Sequence, residues 1–174
     1  MKKRAITQVG IVLDRSTSMD SIRAEMIAGF NDQLRVLKKS VAEGNEVYIT
    51  LVPFATFVDR PIFLNAPIES VPDLTPERYI PNGSTAMLDA VADTIDLLLA
   101  SPNANEEDVS FLLLVISDGA ENASAKFGGP DGYKRIAEKV KTLQDTKRWT
   151  IVYLGANQKL DVVQDRMNLV AGNT

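Results

Sequence analysis

Two stretches, residues 5–13 and residues 109–116 (VSFLLLVI), are apolar along nearly their whole length rather than at alternate positions. A strand with apolar side chains on both sides needs cover on both, and a parallel sheet with helices packed on each face supplies it. The intervening segments suit that role. Ile22, Met26, Phe30, Leu34, Leu37 and Val41 recur at steps of three and four, which makes one apolar helix stripe, and Gly44 stands where a helix ends. Leu88, Val91, Ile95, Leu98 and Leu99 form a second stripe, Tyr133, Ile136, Val140 and Leu143 a third, and Leu160, Val163, Met167 and Val170 a fourth. Strands alternating with such helices predict an α/β fold, a Rossmann-like three-layer α/β/α arrangement with right-handed crossovers and a mostly parallel sheet.

Residues 46–54 and 149–154 are the other expected parallel strands. Residues 57–64 read as a strand too close behind 46–54 for a crossover, so this pair is expected to be antiparallel and to form one edge. Pro53 and Pro61 fit an edge region better than a sheet centre. Residues 65–83 are rich in proline and polar residues without a sustained period, and are expected to form a long surface loop with at most one short turn. Ser84 or Thr85 then stands where the next helix needs an N-cap.

Composition narrows the chemistry. With 174 residues, 45% of them hydrophobic, the chain is expected to be a single domain over residues 1–174 with a real core. Its net charge of −4 gives no basic footprint for nucleic acid. The absence of cysteine and histidine removes disulfides, thiolate or imidazole metal sites and a Ser-His-Asp triad. Any chemistry must come from oxygens, Lys or Arg. The start, Met1-Lys2-Lys3-Arg4 and a short apolar run, imitates a signal peptide only faintly, and no apolar run reaches about 18 residues. The expectation is a cytoplasmic protein without a membrane partner.

At the end of the first strand Asp14, Ser16 and Ser18 follow at alternate positions, so one extended loop can turn three oxygen-bearing side chains to one side. Taken alone, helix capping and cation binding explain them equally well. Ligands of open α/β sheets bind outside the carboxyl ends of the strands, where Asp118 and the Ser84-Thr85 pair are also expected. That convergence favours a small hard cation, Mg2+ first, with Mn2+ or Ca2+ as substitutes.

The segments Asp14-Arg15-Ser16-Thr17-Ser18-Met19, Gly83-Ser84-Thr85-Ala86-Met87-Leu88-Asp89-Ala90 and Ser117-Asp118-Gly119-Ala120-Glu121-Asn122 resemble, in order, the three parts of the metal-ion-dependent adhesion site of von Willebrand factor A domains. The resemblance covers nearly the whole chain and suggests a bacterial or phage-like cytoplasmic type. It implies that Ser16, Ser18 and Thr85 supply hydroxyls, while Asp14 and Asp118 bind the metal directly or through water. Two departures stand out. Thr17 occupies a position where the family often has glycine, which matters if the backbone there needs positive φ. After the expected helix over residues 160–170, many relatives continue into one more strand and a last helix, so the affinity switch of integrin-type relatives is not carried over.

Three hydroxyls and two carboxylates neutralise a divalent cation poorly and leave it a position for an anionic oxygen. The implied function is a metal-dependent protein-binding module, not an enzyme, whose partner presents a Glu or Asp side chain. The alternatives are a Mg2+-dependent phosphoryl-transfer enzyme with Asp14 as nucleophile, or a metal-free structural domain. Against the enzyme, Ser16 stands where that class has a second acid, and Lys126 is the nearest candidate for gripping phosphate and reads as a solvated loop lysine. Arg15 is expected to be solvated or salt-bridged, Glu121 and Asn122 to make loop hydrogen bonds, Asp20 and Asp89 to sit in first helical turns, and Trp149 to pack.

Overall fold

A computed structural model describes residues 4–42, 44–118, 121–155 and 170–171. Strand β1 (Ile6–Asp14) leads through a 3-10 turn (Thr17–Ile22) into helix α1 (Arg23–Ala42), followed by strands β2 (Glu46–Phe54) and β3 (Phe63–Pro67). Helix α2 (Met87–Leu99), strand β4 (Val109–Ser117), helix α3 (Gly132–Asp145), strand β5 (Trp149–Gly155) and the two-residue strand β6 (Val170–Ala171) complete the order. Neighbours in the sheet run β3-β2-β1-β4-β5-β6. Every pair is parallel except β2 with β3, so the expected mixed α/β sheet with an antiparallel edge strand is the fold observed.

The apolar run of β1 finds cover on both faces. All its residues but Thr7 are buried. Val9, Ile11 and Leu13 pack in one cluster with Phe30 and Leu34 of α1, whereas Ile6 and Val12 join Leu88, Val91 and Ile95 of α2 and Ile136 and Val140 of α3 in the other. Three layers result. Gly10 brings α2 close to the sheet: a Cβ there would lie 2.8 Å from Leu98 Cδ1 and 2.9 Å from Thr94 Cγ2. Since β1 has β2 on one side and β4 on the other, the chain reverses its direction of winding at β1, and the carboxyl ends of β1 and β4 lie at this switch point, where open α/β sheets bind their ligands. No helix among the described residues is long and apolar enough to cross a membrane.

Several expectations need correction. The antiparallel strand is Phe63–Pro67 rather than residues 57–64. Residues 55–57 turn tightly, with an isolated bridge between Phe54 and Val58, and the pairing with β2 begins only beyond Pro61. Pro53 lies in β2, the second strand from the edge. The carbonyls of Leu51 and Pro53 accept from Ile62 and Asp59 (2.8 and 3.0 Å), so the N–H that Pro53 lacks falls on the outer side, past the end of the β3 pairing. The segment over residues 65–83 is no free surface loop: it contains the end of β3 and a 3-10 turn (Ile68–Ser70), and it buries Ile68, Val71, Leu74 and Tyr79 against the α1 layer. Asn31 pins it by bonding both the N–H and the carbonyl of Leu74 (2.7 and 3.1 Å). Leu99, placed in the apolar stripe of α2, is 45% exposed. Of the expected last helix, Leu160, Val163 and Met167 lie outside the described residues, and Val170 belongs to β6, a further strand that the sequence reading did not anticipate.

Candidate functional site

Asp14 ends β1 with no exposed surface. Its Oδ1 accepts the Ser16 N–H (2.7 Å) and its Oδ2 accepts the Ser117 hydroxyl from the end of β4 (2.6 Å). Ser16 is buried, Ser18 is exposed, and their hydroxyls share a hydrogen bond of 3.1 Å. The Ser16 and Ser18 side chains therefore meet, and Asp14 reaches the Ser16 backbone. Thr17 is not among the described positive-φ residues, so glycine is not required there. Its N–H donates to the Gly83 carbonyl (3.0 Å), and its hydroxyl accepts the Gly83 N–H (2.9 Å). Gly83 itself has φ +87, and a Cβ would stand 2.6 Å from Thr56 Oγ1. This pair of hydrogen bonds between Gly83 and Thr17 ties the Thr85 loop to the Ser16 loop.

Thr85 is buried, and its hydroxyl makes no hydrogen bond among the described residues. Its backbone is clamped from the loop after β4. The Thr85 N–H donates to Asn122 Oδ1 (2.8 Å), while the N–H groups of Asn122 and Ala123 donate to the Thr85 carbonyl (2.9 and 3.1 Å). Helix α2 starts at Met87 with Ala86 at the N-cap position and no side-chain cap, so neither Ser84 nor Thr85 caps it, contrary to expectation. The loop after β4 does that work instead. Glu121 Oε2 accepts the Leu88 N–H (2.8 Å) and Ser124 Oγ accepts the Asp89 N–H (3.0 Å).

Asp118, half-buried just past β4, carries a buried Oδ1 with no hydrogen-bond partner among the described residues. Burial pushes the Asp14 carboxyl above its ordinary range; the bonds from Ser117 and Ser16 oppose this, and the Asp118 charge adds to the rise. Burial also raises Tyr79 and Tyr153, and the charges of Asp14 and Asp118 raise both further. The two carboxylates therefore lie close enough for the Asp118 charge to act on Asp14 and on both tyrosines. The tyrosines brace the site, because Tyr79 donates to the Asp14 carbonyl (2.5 Å) and Tyr153 to the Ser117 carbonyl (3.2 Å).

Sequence reasoning missed these tyrosines, and it gave Asp89 too small a role. The Asp89 carboxylate is buried and accepts three N–H groups, from Ala125, Lys126 and Phe127 (2.8, 3.1 and 2.8 Å). Glu121 and Asn122 make loop hydrogen bonds as expected. Arg15 pairs with Asp59, Lys126 with Asp93, and Trp149 stacks on Phe111. No group of three or more Asp, Glu, His and Cys gathers among the described residues. A cation here would be held by hydroxyls and two carboxylates. The donor set fits a hard ion, and the orphaned Asp118 Oδ1 is a buried acceptor that such an ion would satisfy.

No family model matches the chain, and no curated protein matches it. Its fold is similar to those of several solved structures. A von Willebrand factor type A protein from Catenulispora acidiphila is 18% identical with a TM-score of 0.60, over 97% of this chain and 38% of that one. The manganese-loaded TRAP protein of Plasmodium vivax is 16% identical with a TM-score of 0.58, over 92% of this chain and 61% of that one. The PilB minor pilin of Streptococcus sanguinis is 13% identical with a TM-score of 0.64, over 99% of this chain and 58% of that one. The chain thus spans 38–61% of the length of these proteins. Likeness at such identity establishes the fold, which is von Willebrand factor A-like.

Proposed function

We propose that this chain is a metal-dependent protein-binding module. Asp14, Ser16, Ser18, Thr85 and Asp118 would hold one divalent cation, Mg2+ first and Mn2+ or Ca2+ as substitutes, and a Glu or Asp side chain of a partner protein would complete its shell. When bound, the cation supplies a strong, directional acceptor for a carboxylate oxygen. The chain's own residues supply the rest: a rigid seat for Asp14, a clamped Thr85, and a set of five donors that leaves an octahedral ion one position for the partner's oxygen.

The observation that carries this reading is the buried Asp118 Oδ1, which has no hydrogen-bond partner among the described residues and lies near a carboxylate whose pKa burial has raised. A buried acceptor without a partner is destabilising, and a cation would reverse that. The fold likeness to a manganese-loaded protein supports the same reading. The phosphoryl-transfer alternative asks Asp14 for a free nucleophilic oxygen. Both its oxygens accept hydrogen bonds and its side chain is fully buried, which favours a module without turnover.

Calorimetric titration with Mg2+ and Mn2+ tests the proposal. One site is expected, with a dissociation constant of roughly 10⁻⁴–10⁻³ M, as for weakly charged oxygen sites. Asp118→Ala and Asp14→Ala should abolish the heat. Titrations of both variants that match the wild type would overturn the reading, and so would Mg2+-dependent hydrolysis of p-nitrophenyl phosphate that Asp14→Asn abolishes.

A further inference from the structure

The surface beside the candidate site is shaped and charged. Ala55, Thr56 and Phe57 form a tight turn closed by a bond from the Ala55 N–H to the Phe57 carbonyl (3.0 Å), and Phe57 is left 78% exposed. This turn is fastened to the Thr85 loop. The Ser84 N–H donates to Thr56 Oγ1 (3.0 Å), and the Ala86 N–H donates to the Ala55 carbonyl (2.7 Å). A hollow between Phe57, Asn82 and Gly83 contains the Arg15–Asp59 ion pair in its wall. A second hollow shares Arg15 and Asp59 and continues to Arg60, Arg78 and Ile80. The two hollows adjoin at Arg15 and Asp59 as a trough whose near part is walled by Arg15 and Gly83, of the loops that carry Ser16 and Thr85.

Charge along the trough is uneven. Arg15 and Asp59 neutralise each other. Arg60 and Arg78 are exposed, and neither guanidinium has an ion-pair or hydrogen-bond partner among the described residues. The remaining acid, Glu77, is held below the usual carboxylate range by bonds to its own backbone and to Thr75. Glu77 therefore stays ionised, and the far end sets two arginines against one acid, in a chain whose net charge is −4. Phe57 and Ile80, the latter 59% exposed, add apolar surface along the same trough. Aromatic and arginine side chains in such a setting are the usual anchors of a protein contact.

We infer that the trough receives an extended acidic segment of the partner, in which an apolar side chain lies between two acids. The first acid reaches the cation, the apolar side chain lies against Phe57 and Ile80, and the second acid meets Arg60 and Arg78. This rests on the metal reading of the site and adds to it the kind of partner sequence selected.

The test is a displayed library of random twelve-residue peptides, selected on the whole chain in Mg2+, with the recovered sequences then made as synthetic peptides. Recovered peptides should carry two acids flanking Leu, Ile, Val, Phe or Met. Changing the second acid to its amide should weaken binding about tenfold, the effect of losing contacts to two exposed cations. Arg60→Ala/Arg78→Ala should bind the acid and amide forms alike, and Phe57→Ser should lose the preference for the apolar residue. Circular dichroism checks that these surface variants fold. Peptides that need Mg2+ and Asp14 yet ignore Phe57, Arg60 and Arg78 would overturn the trough alone. Peptides that stay bound in EDTA and to Asp14→Asn would overturn the metal reading, and a selection that returns no acid-bearing peptide would overturn both.

Discussion

Asp14 is the residue on which stability and the proposed function pull in opposite directions. Its carboxylate is fully buried, and burial outweighs the bonds from Ser117 and Ser16, so its pKa is raised. Between the ordinary carboxylate value and that raised value the folded protein binds more protons than the unfolded chain. Unfolding free energy from this group therefore falls as pH rises through the window, and above it the ionised Asp14 stays a burden on the metal-free fold. A cation needs that same ionised form. Asp14→Asn keeps an acceptor for the Ser16 N–H and removes the buried charge, so without metal it should melt a few degrees higher than the wild type at neutral pH. Adding Mg2+ should raise the melting point of the wild type and leave that of the variant unchanged. Scanning calorimetry with EDTA and with Mg2+ checks both; a variant that melts lower in EDTA would show that the carboxylate is net stabilising. Asp14, Ser16 and Ser18 were legible because their relation is local, two residues apart beyond an apolar strand. Tyr79 was not, since its hydroxyl bonds to a carbonyl 65 residues away and it comes from a loop with no period.

At the scale of elements, the junction between α2 and the loop after β4 organises the site. The sequence places Ser84 and Thr85 where a helix cap belongs, and that local rule fails because Glu121 and Ser124 satisfy the first turn of α2 across space. Released from capping, Thr85 has a hydroxyl without a hydrogen bond among the described residues, the group that the proposed cation would use. The exchange is reciprocal, for Asp89 in the first turn of α2 holds the N–H groups of Ala125, Lys126 and Phe127. Gly128 and Gly132 complete the knot: a Cβ at either would run into the backbone carbonyl of Ser124 or of Phe127. Asp89→Ala should cost about 2–4 kcal/mol, because it strands three N–H groups that now bond a carboxylate. Hydrogen exchange should speed up at residues 125–127, and Mg2+ affinity should drop as the Asp118 loop loosens. A variant with wild-type exchange in this loop would show that Asp89 does not hold it. The edge strand illustrates the same limit of local reading. Residues 57–64 have strand-like composition, but the tight turn at 55–57 and Pro61 delay pairing until Phe63.

For the whole molecule, the feature that set the fold was the doubly apolar central strands, and it was readable because burial on both faces leaves few arrangements for a chain of this size. The two clusters that cover the sheet engage α1 on one side and α2 and α3 on the other, and they hold such side chains as Phe30, Leu34, Ile95 and Ile136 well inside. The candidate site lies at the carboxyl rim of β1 and β4 and draws mainly on polar loops. Folding should therefore proceed without a cation, with the rim alone gaining from it. Mass action sets the size of that gain: a ligand at ten times its dissociation constant stabilises the fold by about 1.4 kcal/mol. In a domain of this length that raises the melting point by about 3–6 °C. The far-ultraviolet dichroism in EDTA should match that in Mg2+, and the melting curve should shift by this small amount in the wild type and not at all in Asp118→Ala. If chelation removed the helical signal, the ion would be part of the fold and the two clusters would not suffice to hold the sheet together. If the wild type showed no shift at saturating Mg2+, the rim would hold no ion, and the buried Asp118 oxygen would need another explanation.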